Sequence, residues 1–232
     1  MNHTMDIASI FHLLQLSDSA FPIGAFAFSN TLESASEQNI VNDSASLEAY
    51  TREIVRSSAF TDGVAALVAL QATIDNRYEA IATADKLLFC SKAGDEARRM
   101  TQRMGLKLTE IMVPMLRHEL LDDWHDDISH ARTAGTFAVS LGIVAALCHI
   151  PREALYSSVC YGAASIVLGA ALRSTRTTHL TTQLILFKLG PLIEALYAEA
   201  AQLDIEQMNS FAPQYDIMAS LHEKGSKRLF MN

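Results

Sequence analysis

Two stretches of this chain, residues 133–148 and 154–172, carry no charged side chain, and only a short connection around His149, Ile150 and Pro151 joins them. A helix that is apolar on every side either crosses a membrane or lies at the centre of a bundle. Small or weakly polar residues interrupt both stretches: Gly135, Ser140 and Gly142 in the first, Ser157, Ser158, Gly162, Ser165 and Gly169 in the second. The neighbouring segments are amphipathic, and no basic cluster stands beside the pair to set a membrane topology. The expectation is a buried central helical hairpin, wrapped by the rest of the chain and not inserted in a membrane.

The remainder of the sequence suits that task. Of 232 residues, 50% are hydrophobic and 19% are charged, enough to close a sizeable core in a single domain spanning 1–232. The formal charge of -8 argues against nucleic acid as a partner, because phosphate binding needs a basic face to displace counterions. Cys90, Cys148 and Cys160 are odd in number and have no CxxC or CxxH spacing, which reads as three reduced core thiols in a soluble, cytoplasmic protein. Residues 1–8 lack the basic region and cleavage pattern of a signal peptide, and 1–9 read as a flexible start.

Helical spacing recurs along the chain, whereas strand alternation with Asn-Gly or Asp-Gly turns is missing. The expected fold is therefore all-α. Residues 10–16 form a short helix. Ser29 or Asn30 caps a second one through Glu37, and Asp43 or Ser44 caps a long one that bends at Asp62-Gly63. Residues 78–90 follow. Asp95 and Glu96 then open a helix with a core stripe of Met104, Leu108, Ile111, Met112 and Met115. Arg99, Arg103 and Lys107 make a basic stripe on its other side, the pattern of a solvated face or a docking surface. After the hairpin, a last helix over 178–201 is kinked at Gly190-Pro191. Residues 210–232, with Pro213, Gly225 and a basic end, read as a tail that orders against a partner.

Catalytic patterns are sparse. Asp122, Asp123 and Asp126 form a DDxxD string, a spacing with which isoprenoid synthases hold Mg²⁺ ions against a diphosphate. No second acidic cluster or basic clamp accompanies it, and the acidic run reads as a solvated loop. His118, His125 and His130 are types that suit nickel, as in a metallochaperone, but spacings of seven and five do not bring them to one helix face. No GxxxxGK[ST], HExxH or GxSxG occurs. The expected function is protein binding without catalysis or a cofactor. An apolar loop stands out for that purpose: Phe21, Pro22, Gly24, Phe26 and Phe28 follow directly on the first helix, as a structural staple or a partner-binding surface.

That loop and the tail together resemble the UreF family of urease accessory proteins. The N-terminal signature LLQLSDSxFPxGxFxHSxGLE is matched at residues 13–24 and at Phe26, Ser29, Leu32 and Glu33. The closing pattern DIxxMxHExxxxRLF is matched at Asp216, Ile217, His222, Glu223, Arg228, Leu229 and Phe230, and Arg173 and Gln183 keep the ends of RLxPLGQxxGQ. Phe28 stands in place of the signature His, Asn30 and Thr31 in place of an aromatic-Gly pair, and Thr177, Thr178 and His179 in place of Leu-Gly-Gln. Ser220 and Ser226 depart from the tail pattern.

The resemblance implies an all-helical adaptor that tends to dimerise. It implies binding to the UreD/UreH accessory protein, recruitment of the GTPase UreG, and GTP-coupled nickel delivery to the urease apoprotein UreABC. The partner-binding residues it implies are Phe21, Pro22, Gly24, Phe26, Ser29, Glu33, Arg173, Gln183, Asp216, His222, Glu223, Arg228, Leu229 and Phe230.

Overall fold

A computed structural model describes residues 5–92, 94–210, 212 and 217–219. Those residues form a single all-α domain without strands. The helices are α1 (Ile7–Ser17), α2 (Leu32–Glu37), α3 (Ser44–Ser58), α4 (Val64–Ile74), α5 (Tyr78–Ser91), α6 (Asp95–Leu116), α7 (Glu119–Ser129), α8 (Phe137–Leu147), α9 (Arg152–Ser174), α10 (His179–Lys188) and α11 (Gly190–Ala200). Short 3-10 turns lie at Ala25–Ala27 and Ile205–Gln207.

The first uncharged stretch becomes α8, the centre of the fold, with every residue from 138 to 146 buried. It packs chiefly against α4 and α6, not against its neighbour in sequence. Small residues allow this closeness. A Cβ on Gly142 would lie 2.5 Å from the carbonyl oxygen of Ala66, and one on Gly105 would lie 2.0 Å from that of Gly135. A buried helix start must find partners for its free amides. Here the fully buried Asp85 carboxylate accepts from the Thr133 hydroxyl at 2.6 Å and the Gly135 amide at 2.9 Å, and from both the amide and the hydroxyl of Thr136 at 2.6 Å. Trp124, also fully buried, donates its Nε1 hydrogen to Ser140 Oγ at 3.0 Å.

The second stretch becomes α9, which buries one face, mainly against α3, and leaves the other open. The pair is a hairpin in chain order, but each helix finds its main partner elsewhere. Among the described residues, two helical spans, Ser44–Ile74 and Arg152–Ser174, are long and apolar enough to cross a membrane, and in the fold 61% and 50% of their most apolar windows are buried.

Several elements differ from expectation. The bend at Asp62-Gly63 is a π turn, Ala59–Gly63, that carries α3 into α4. Gly63 is required there because a Cβ would meet the Tyr156 ring at 2.6 Å. The acidic run 122–127 is helical, not a loop. Leu120, Leu121 and Trp124 give α7 a buried stripe, and the His118 Nδ1 accepts from the Leu120 amide at its start. Helix α2 is entered through Thr31, since both Asn30 and Thr31 adopt left-handed backbone (φ 49° and 60°). Met115 is exposed on the outer side of the last turn of α6, which packs on the core through Val113 and Leu116, and Cys90 is exposed on α5, so only Cys148 and Cys160 are core thiols. The kink near Gly190-Pro191 is a break between α10 and α11.

Candidate partner-binding surface

Phe21 to Phe28 form a tight structure against α9. Gly24 takes φ 80°, a region that costs other residues strain, and so turns the chain into the 3-10 turn Ala25–Ala27. The turn divides its three phenylalanines. Phe21 and Phe28 point into the main core, whereas Phe26 at the tip is 73% exposed. Arg173 near the end of α9 holds that tip. Its guanidinium lies 3.8 Å from the centre of the Phe26 ring, its Nη1 donates to the Phe26 carbonyl at 2.8 Å, and its Nε donates to the Gly169 carbonyl at 3.1 Å. Burial draws the Arg173 pKa down, the sign of a partly desolvated cation, a setting in which attraction to a ring is stronger.

Behind the tip runs an open, mostly apolar groove of about 310 Å³. Phe21, Phe26 and Arg173 line one end, and Ser158, Gly162 and Gly169 of α9 form part of its wall. Its lining also includes Thr61 and Asp62 of the π turn, with Lys92 bound to Asp62 at 2.5 Å, and Met100 and Met104 of α6. Ser210 and Ala219 reach the same groove from the C-terminal side. The small residues at 158, 162, 165 and 169 recur at helical spacing, a signal that marks an accessible face of α9 in the sequence itself.

The expected binding residues thus divide. Phe21, Phe26 and Arg173 converge on the groove, and Gly24 shapes the loop. Pro22 is exposed, whereas Ser29 and Glu33 are buried beneath the surface. Gln183 stands apart from the groove, exposed on α10 beside Leu180, Leu184 and Phe187. Asp216, His222, Glu223, Arg228, Leu229 and Phe230 lie outside the described residues. A second exposed apolar row, Ile7, Phe11 and Leu14, lies on α1.

Part of the acidic run and the nearby histidines make structural contacts. Tyr78 donates to Asp127 at 2.6 Å, and Arg132 pairs with both Asp127, at 2.5 Å, and Asp126. The Asp127 pKa is lowered by the Tyr78 hydroxyl first and Arg132 next, and that of Asp126 chiefly by Arg132. Asp122 and Asp123 face solvent. His125 shares a hydrogen bond with the Thr109 hydroxyl at 2.9 Å, and His130 lies 3.1 Å from the Asp126 carboxylate. Among the described residues, no three His, Cys, Asp or Glu side chains are grouped to hold a metal ion.

Loop, clamp and groove describe a class: an all-α protein with a preformed apolar groove lined by the 21–28 loop, α9 and α6. The particular family follows from its relatives. The UreF family profile matches residues 41–190. Urease accessory protein UreF 2 of Brucella canis is 41% identical over 226 residues, covering 97% of this chain and 93% of that protein. Urease accessory protein UreF of Photorhabdus laumondii is 39% identical over 229 residues, and that of Yersinia pestis 36% over 228, each covering 98% of this chain and 100% of the relative. This chain belongs to the UreF family of urease accessory proteins.

Proposed function

We propose that this protein is a non-catalytic adaptor in urease maturation. It binds the UreD/UreH accessory protein through the 21–28 loop, the groove behind it and the C-terminal tail. As a cytoplasmic homodimer within that complex it recruits the GTPase UreG, and the assembly couples GTP hydrolysis to delivery of nickel, its cargo, to the urease apoprotein UreABC. The observation that carries this reading is Phe26, a large apolar side chain that is 73% exposed, lies against the Arg173 guanidinium and lines an apolar groove. An exposed aromatic fixed in place costs little ordering entropy when it is buried by a partner.

Leu229 and Phe230 enter the partner, with Arg228 making a charge-assisted hydrogen bond there. Arg99, Arg103 and Lys107 are all exposed on α6 and offer a basic face to the GTPase or to urease, although Lys107 already pairs with Glu110 at 2.8 Å. Deletion of residues 227–232 tests the assignment of the tail. The expected result is loss of co-purification with the UreD/UreH partner while the helical circular dichroism is unchanged, and undiminished complex formation sinks it.

A further inference from the structure

We infer that Arg173 is a positioning residue that serves the interface through Phe26 instead of meeting the partner with its charge. The inference rests on the partner-binding reading of the loop. Among the interactions of this side chain, the ring contact and the carbonyl bond at Phe26 and the bond to Gly169 on α9 join two elements distant in sequence. The guanidinium carbon lies over the Phe26 ring, 3.8 Å from its centre, while the side chain remains 73% exposed. Beneath the tip the loop is seated by packing: Ile23 and Phe28 are buried in the main core, and Ala25 and Ala27 pack against it. The Ala27 amide bonds the Gly24 carbonyl at 3.1 Å and the Phe28 amide bonds that of Ala25 at 3.2 Å, both within the turn. Gly24 itself has nothing within 4 Å of where a Cβ would stand. Above that packing, Arg173 ties the exposed tip to α9 at Phe26 itself. A lysine supplies the charge but not the planar fork that reaches the ring and two carbonyls together.

A double-mutant cycle on the full chain tests this. Affinity for the purified UreD/UreH partner is measured for Phe26→Ala, Arg173→Met and the double variant, and loop exchange is followed in the isolated chain. On the positioning role each single change weakens binding by about tenfold, and the double is no weaker than Phe26→Ala alone. Arg173→Met also speeds amide exchange at Ala27 and Phe28, and Arg173→Lys fails to restore either property. Additive losses, or full rescue by lysine, overturn the inference and make Arg173 a direct contact. Unchanged exchange in Arg173→Met overturns it as well, with no partner present. Unchanged affinity in Phe26→Ala is the separate result that defeats the partner-binding reading of the loop.

Discussion

Thr31 occupies the place of a signature glycine, and its left-handed backbone (φ 60°) explains why glycine suits that place. A β-branched residue is strained in that region, by roughly 1–2 kcal/mol. Tyr50 supplies compensation from α3. Its hydroxyl donates to the Asn30 carbonyl at 2.9 Å and shares a hydrogen bond with the Thr31 hydroxyl at 2.6 Å. Tyr50→Phe leaves the strain and removes both bonds, and it is expected to cost about 1–3 kcal/mol, read as a lower urea midpoint at unchanged slope. A loss under a few tenths of a kcal/mol would show that the Asn30-Thr31 corner is held by packing alone. Phe28 shows a related adjustment. Where the signature has a histidine, this chain places a buried ring that belongs to the main core, so the position here contributes packing.

At the scale of elements, α7 illustrates both what the sequence reveals and what it hides. Its apolar positions, Leu120, Leu121 and Trp124, are spaced for a helix, but four aspartates beside them give the look of a solvated loop. What ties the end of this acidic helix down is distant or later in the chain: Tyr78 of α5 and Arg132 beyond the helix. The same holds for Asp85, whose four hydrogen bonds go to residues about fifty positions away. Periodicity reports which face is apolar, not which carboxylate will be enclosed. The loop shows the reverse case, because the glycine and three phenylalanines are plain in sequence while only packing decides that Phe26 alone faces outward.

The Asp127 pKa lies below its ordinary value in the folded chain, so its contribution to stability is complete above about pH 4 and is lost as pH falls through the lowered value. Thermal melts between pH 5 and 2 should therefore show a steeper acid decline for the native chain than for Asp127→Asn. Parallel curves would mean that the Tyr78–Asp127–Arg132 group adds nothing to the fold.

For the whole molecule, the distribution of apolar surface matters more than its amount. Leu180, Leu184 and Phe187 are 71%, 52% and 85% exposed at helical spacing on α10. They add little to the stability of the isolated chain, whereas each would be worth about 1.5–3 kcal/mol on full burial. If the proposed homodimer uses this face, Leu184→Glu with Phe187→Glu converts it to a monomer in size-exclusion chromatography with light scattering, without loss of helical dichroism. A dimer that survives the change has its interface elsewhere.

The packing of α8 also bears on how the protein is made. Its principal neighbours, α4 and α6, both precede it in the chain. Chains emerge from the ribosome N-terminus first. When this uncharged segment leaves the exit tunnel, the two surfaces that will cover it have already been synthesised. The most water-averse piece of the protein therefore never waits for a shelter that is still to be translated. A circular permutant that places α8 ahead of α4 would lose that protection while keeping every contact of the finished fold.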